Sequence, residues 1–71
     1  MDKFLEVAQE RMDFIKAHIS AYNVQKEVSE LLAMAELLDA LEPSADVYDV
    51  IKSETGFTAT QLSNYVMELS S

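Results

Sequence analysis

The sequence has no cysteine and no tryptophan, and only one glycine and one proline. Without cysteine there is no disulfide framework, no thiolate metal site and no thiol nucleophile. A single glycine cannot supply the glycine-rich loops that cradle phosphates. Long apolar runs are also missing. The longest, residues 31–35, falls far short of the roughly 20 residues a membrane-spanning helix needs. The first fourteen residues mix both charge signs, so no secretory apolar region is expected there. Together these absences point to a single domain over residues 1–71, cytoplasmic, with no membrane contact and no cofactor.

Cations are scarce as well. Five Lys and Arg stand against thirteen Asp and Glu, a net charge of −8. The imbalance is local. Asp2, Glu6, Glu10 and Asp13 cancel Lys3, Arg11, Lys16 and Lys26, whereas residues 27–54 hold eight carboxylates against Lys52 alone. Phosphate contacts need Lys and Arg, so neither nucleic acid nor an anionic membrane is an expected partner. The excess suits a solvated acidic face that confers solubility, or a basic protein partner.

What the sequence does have is apolar patterning: 49% of its residues are hydrophobic. Leu5, Ala8, Met12, Ile15, Ile19 and Tyr22 recur at spacings of three and four, which predicts an amphipathic helix over about 3–22 with Asp2 as its cap. Val24, Val28, Leu31, Ala35 and Leu38 repeat the rhythm over about 24–41. The two stripes are out of phase, because the first register continued would bring Lys26 and Ser29 into the core. A break near residues 21–24 is expected, with Asn23 as its cap. No glycine or proline enforces it, and one continuous helix stays open as the alternative. Pro43 steers the residue before it out of the helical region. Ser44 then predicts the cap of a third helix over about 45–54, with Asp46 in its first turn, and Gly56 its end. Thr58 and Gln61 make a capping box, with Phe57 and Leu62 at the staple positions, opening a fourth helix over about 59–69. No segment alternates with period two. The fold class is all-α, a three- to four-helix bundle.

No catalytic, metal or cofactor residues emerge. His18 is the sole histidine, with no partner at metal-pair spacing, and reads as a surface side chain. The pair of helices around Gly56 fits a helix-turn-helix loosely, with Thr58, Thr60, Gln61, Ser63 and Asn64 to face bases. Residues 53–71 hold no Lys or Arg, however, so DNA binding through 45–69 ranks last. Glu36, Asp39, Glu42, Asp46 and Asp49 recur every three or four residues as an acidic ridge, which suits an inhibitor or DNA mimic bound to a basic nucleic-acid-binding protein.

The apolar stripes are wide, with Leu31 beside Leu32 and Leu37 beside Leu38. Stripes this wide bury against more than one neighbour. Either the two short helices cover them, or part of them forms an interface. The leading expectation is a non-enzymatic protein acting by association as a homodimer. Its interface residues are Leu5, Ala8, Met12, Ile15, Ile19, Tyr22, Leu31 and Leu38.

Residues 9–15 (Gln-Glu-Arg-Met-Asp-Phe-Ile) with Ile19, residues 46–50 (Asp-Val-Tyr-Asp-Val), and residues 57–62 (Phe-Thr-Ala-Thr-Gln-Leu) with Glu68 and Leu69 resemble the small, uncharacterised YfkK-like family of Gram-positive bacteria. The likeness covers both ends and not residues 20–45, where a Leu-rich helix stands. It implies no activity and no functional residue.

Overall fold

Four α-helices follow one another in the computed structural model, which describes residues 2–70, with side chains from 3 to 69. Helix α1 spans Asp2–His18, α2 Gln25–Leu41, α3 Val47–Thr55 and α4 Ala59–Ser70. A 3-10 turn, Pro43–Ala45, joins α2 to α3. No strand occurs among the described residues, as the periodicity predicts. The short connection after α1 folds α2 back along it as a hairpin. Helix α3 lies against α1 and α4 against α2, closing a bundle of 32 × 21 × 18 Å.

The core is drawn from the expected stripes. Ala8, Met12 and Ile15 of α1 meet Val28, Leu31, Ala35 and Leu38 of α2, and Val24, Val47, Ile51 and Leu62 complete the cluster. The two short helices therefore do cover most of what the hairpin offers. Each core side chain of Leu or Ile size stabilises the fold by about 1.5–3 kcal/mol over leaving it in water.

Helix α1 ends at His18 rather than near Tyr22. The Ala21 and Tyr22 amides both donate to the His18 carbonyl, at 3.0 and 2.8 Å, as the chain turns. The end of the connection is anchored from a distance: Val24 is fully buried, and its amide donates to the Tyr65 hydroxyl of α4 at 3.0 Å. Gln25 adds a bond from its Nε2 to the Val66 carbonyl at 3.3 Å. The cap position falls on Val24 rather than Asn23, which stands one residue earlier and accepts from the Gln25 amide through its Oδ1 at 2.9 Å as a local turn. Tyr22, left outside the helix, is 67% exposed.

The second junction also departs from the sequence reading. Ser44 sits inside the 3-10 turn that Pro43, with its fixed φ, begins. The residue before α3 is Asp46, in the left-handed region at φ 53°, and it caps with no side-chain bond. Aspartate is one of the few residue types besides glycine that enter this region. The third junction follows the sequence closely. Gly56 ends α3 at φ 82° and donates to the Lys52 carbonyl at 2.9 Å. Thr58 and Gln61 bond reciprocally: the Thr58 amide to Gln61 Oε1 at 2.8 Å, the Gln61 amide to Thr58 Oγ1 at 3.1 Å. The expected cap at Asp2 lies outside the described side chains.

Candidate functional site

Of the eight residues expected at an interface, Ala8, Met12, Ile15, Leu31 and Leu38 are buried within the single chain. They hold the bundle together, and any contact between molecules has to use what they leave uncovered. Ile19 is half-buried against the core. Leu5 and Tyr22 remain accessible, at 45% and 67% exposure. The reason is the placement of α3 and α4, which the hairpin's own periodicity does not specify.

One apolar face of the hairpin is left open, and an ion pair locates it. Arg11 of α1 reaches Glu30 of α2, with Nη2 at 3.1 Å and Nε at 3.2 Å from the same carboxylate oxygen. Both side chains are about a third exposed. Such a pair contributes roughly 0–1 kcal/mol, so its main effect is to fix register. Residues three, four, seven or eleven positions from these two share their face. On α1 they are Phe4, Val7, Ala8, Phe14, Ile15 and His18, of which Ala8 and Ile15 turn into the core; on α2 they are Lys26, Glu27, Ala33, Met34, Leu37 and Leu41. Phe14, Leu37 and Leu41 are all exposed. The Phe14, His18 and Tyr22 rings form a ladder, with centroids 4.5 and 5.4 Å apart, so His18 is a half-buried rung between two aromatics. Ala33, Leu37 and Ala40, with Glu36 at the edge, line a shallow depression on the α2 side. Arg11 and Lys26 balance Glu27 and Glu30, so the centre of this face is neutral on a protein of charge −8, with Glu36 at its border.

A second apolar feature lies on the other side of α1. Leu5, Ala8, Gln9 and Met12 of α1, Leu38 of α2, Ala45, and Val47 and Val50 of α3 line a cleft of about 120 Å³. Leu5 and Val50 form exposed lips. No carboxylate among the described residues lines it, although Glu6 follows Leu5 and Asp39 follows Leu38 in sequence. Asp13 accepts a hydrogen bond from Gln9 at 3.0 Å.

The acidic ridge is wholly exposed: Glu36, Asp39, Glu42, Asp46 and Asp49 all lie at the surface. It is not one line, however. Glu36 borders the depression on α2, whereas Asp46 and Asp49 border an open groove between α3 and α4 that Tyr48, Lys52, Thr58 and Thr60 also line. This groove is where a helix-turn-helix would meet DNA. Two carboxylates stand at its mouth, and Thr58 is already engaged in the capping box. Among the described residues no group of three His, Asp or Glu side chains is placed to hold a metal ion, and no helix is long and apolar enough to cross a membrane.

Sequence reasoning missed Thr55, a buried side chain that donates to the Ile51 carbonyl at 2.7 Å and accepts from the Phe57 amide at 3.1 Å. Its place just before Gly56 was the available signal. No family model, no curated protein and no solved structure matches the chain. Its function therefore has to be argued from its own surfaces.

Proposed function

We propose that this is a non-enzymatic, cytoplasmic association module that works as a homodimer through the outer face of the α1–α2 hairpin. The observation that carries the proposal is the exposure of Phe14, Tyr22, Leu37 and Leu41 around a charge-neutral centre. Neutrality matters because two copies of a protein of charge −8 repel unless they meet where charge is balanced. Burying the uncovered parts of these four side chains in both copies stabilises a dimer by on the order of 10 kcal/mol. Association costs about 4–15 kcal/mol in lost freedom, so the dimer is expected to be weak and dependent on concentration.

Replacing Leu37 and Leu41 with Glu tests this, since both are exposed and their loss leaves the core intact. The double variant is expected to keep its helical circular dichroism and to dimerise at least tenfold more weakly, each lost Leu contributing about 1.5–3 kcal/mol. Met67→Glu, an exposed change on α4, is expected to leave the mass unchanged. A folded Leu37→Glu/Leu41→Glu protein of wild-type mass at every concentration would contradict the proposal.

A second reading, an acidic inhibitor of a basic nucleic-acid-binding protein, is supported by the full exposure of Glu36, Asp39, Glu42, Asp46 and Asp49. The split of these residues between two faces favours a partner that meets only part of them.

A further inference from the structure

We infer that the cleft between α1 and α3 is a docking site for a basic amphipathic helix of a partner protein, which inserts one bulky apolar side chain. The inference does not need self-association. It narrows the second reading from any basic protein to one chemistry.

Size comes first. The cleft measures about 120 Å³, and a cavity of roughly 150 Å³ takes up a benzene ring. One large aliphatic or aromatic side chain is the natural occupant, and several are not. The walls match that chemistry: Leu5, Met12, Val47 and Val50 are apolar, and the amide of Gln9 is the one polar side chain among the lining residues.

Charge decides which apolar group arrives. Asp13 is bonded to the lining residue Gln9, and Glu6, one turn before Gln9 on α1, and Asp39, next to Leu38, are exposed; Asp46 and Asp49 line the groove between α3 and α4 instead. No Lys or Arg lines the cleft. Arg11, although next to Met12, is turned away onto Glu30. Lys16, one turn beyond Met12, is the cation nearest along that face of α1. A second copy of this chain, at charge −8, meets repulsion here and not at the neutral hairpin face. A helix with Lys or Arg on either side of a Leu or Phe gains from the same field. Helix-in-groove recognition of this type reads apolar anchors at helical spacing and uses charge for steering.

The test uses the whole protein and three fluorescent peptides of about 18 residues, a length that gives roughly five helical turns. The first alternates Leu and Lys at helical spacing, the second replaces its Leu with Ala, and the third replaces its Lys with Glu. Fluorescence anisotropy is read at low and at moderate salt. The Leu/Lys helix is expected to bind at least tenfold more tightly than the Ala/Lys helix, and the Leu/Glu helix not to bind. Raising salt past the point where the Debye length drops below about 10 Å is expected to weaken binding several-fold. Leu5→Lys/Val50→Lys, two changes at exposed lips, is expected to reduce binding at least tenfold while the thermal transition persists. Should that pair of changes fail to fold, Glu6→Gln/Asp13→Asn gives an independent arm, with a several-fold loss expected. Equal binding of the Leu/Lys and Ala/Lys helices would overturn the cleft while leaving the acidic reading standing. Binding of neither would overturn both.

Discussion

The single most consequential hydrogen bond joins residues 41 apart: the Val24 amide donates to the Tyr65 hydroxyl at 3.0 Å. Val24 is fully buried, so removing the acceptor leaves an unsatisfied amide that costs about 1–3 kcal/mol. Tyr65→Phe is expected to lower stability by that amount in a urea titration and to speed hydrogen exchange at Val24. A loss below about 0.5 kcal/mol would show that water reaches the amide instead. Gly56 offers a cleaner case of backbone strain. Its φ is +82° and nothing stands within 4 Å of where a Cβ would sit. Gly56→Ala is therefore a pure conformational penalty of about 1–2 kcal/mol. The expected drop in melting temperature is about 4–8 °C for each kcal/mol in a domain of this size. An unchanged melting temperature would mean that the turn rearranges at no cost.

At the scale of helices, legibility follows how local the determinants are. Helix α4 is readable because its start is written in adjacent residues: Phe57, Thr58, Gln61 and Leu62 sit within six positions, and Thr58 and Gln61 bond each other. The end of α3 was readable because Gly56 is the chain's one glycine. The end of α1 was not. Tyr22 continues the spacing of Ile15 and Ile19, and the contact that anchors the connection after the helix, Val24 to Tyr65, comes from far along the chain. Asp46 was misread for a related reason: Ser44 is the better cap in isolation, and only the 3-10 turn after Pro43 moves the helix start past it. The candidate site shows the same division. The width of the Leu31–Leu41 stripe was visible, but which part stays open depends on where α3 and α4 dock. Thus Leu38 is buried and its neighbours Leu37 and Leu41 are not. If local bonding sets the start of α4, Thr58→Ala is expected to cost about 1 kcal/mol, measured by thermal unfolding.

For the whole molecule the governing fact is a charge of −8 carried on 71 residues. Like charges oppose both compaction and self-association, and salt screens them. Salt is thus expected to strengthen the homodimer and to weaken the capture of a basic helix at the cleft. Opposite signs for one variable separate the two surfaces without any mutation. A homodimer weakened by salt would point to an interface held by charge and not by Phe14, Tyr22, Leu37 and Leu41.

The most direct test of the central claim is the solution mass of the unaltered protein, by light scattering behind size exclusion over a tenfold range of concentration. The neutral apolar hairpin face predicts a weight-average mass that rises with concentration from the 8.0 kDa of one chain toward twice that value. A mass fixed at 8.0 kDa throughout would contradict it, and would leave that face exposed without a second copy to cover it.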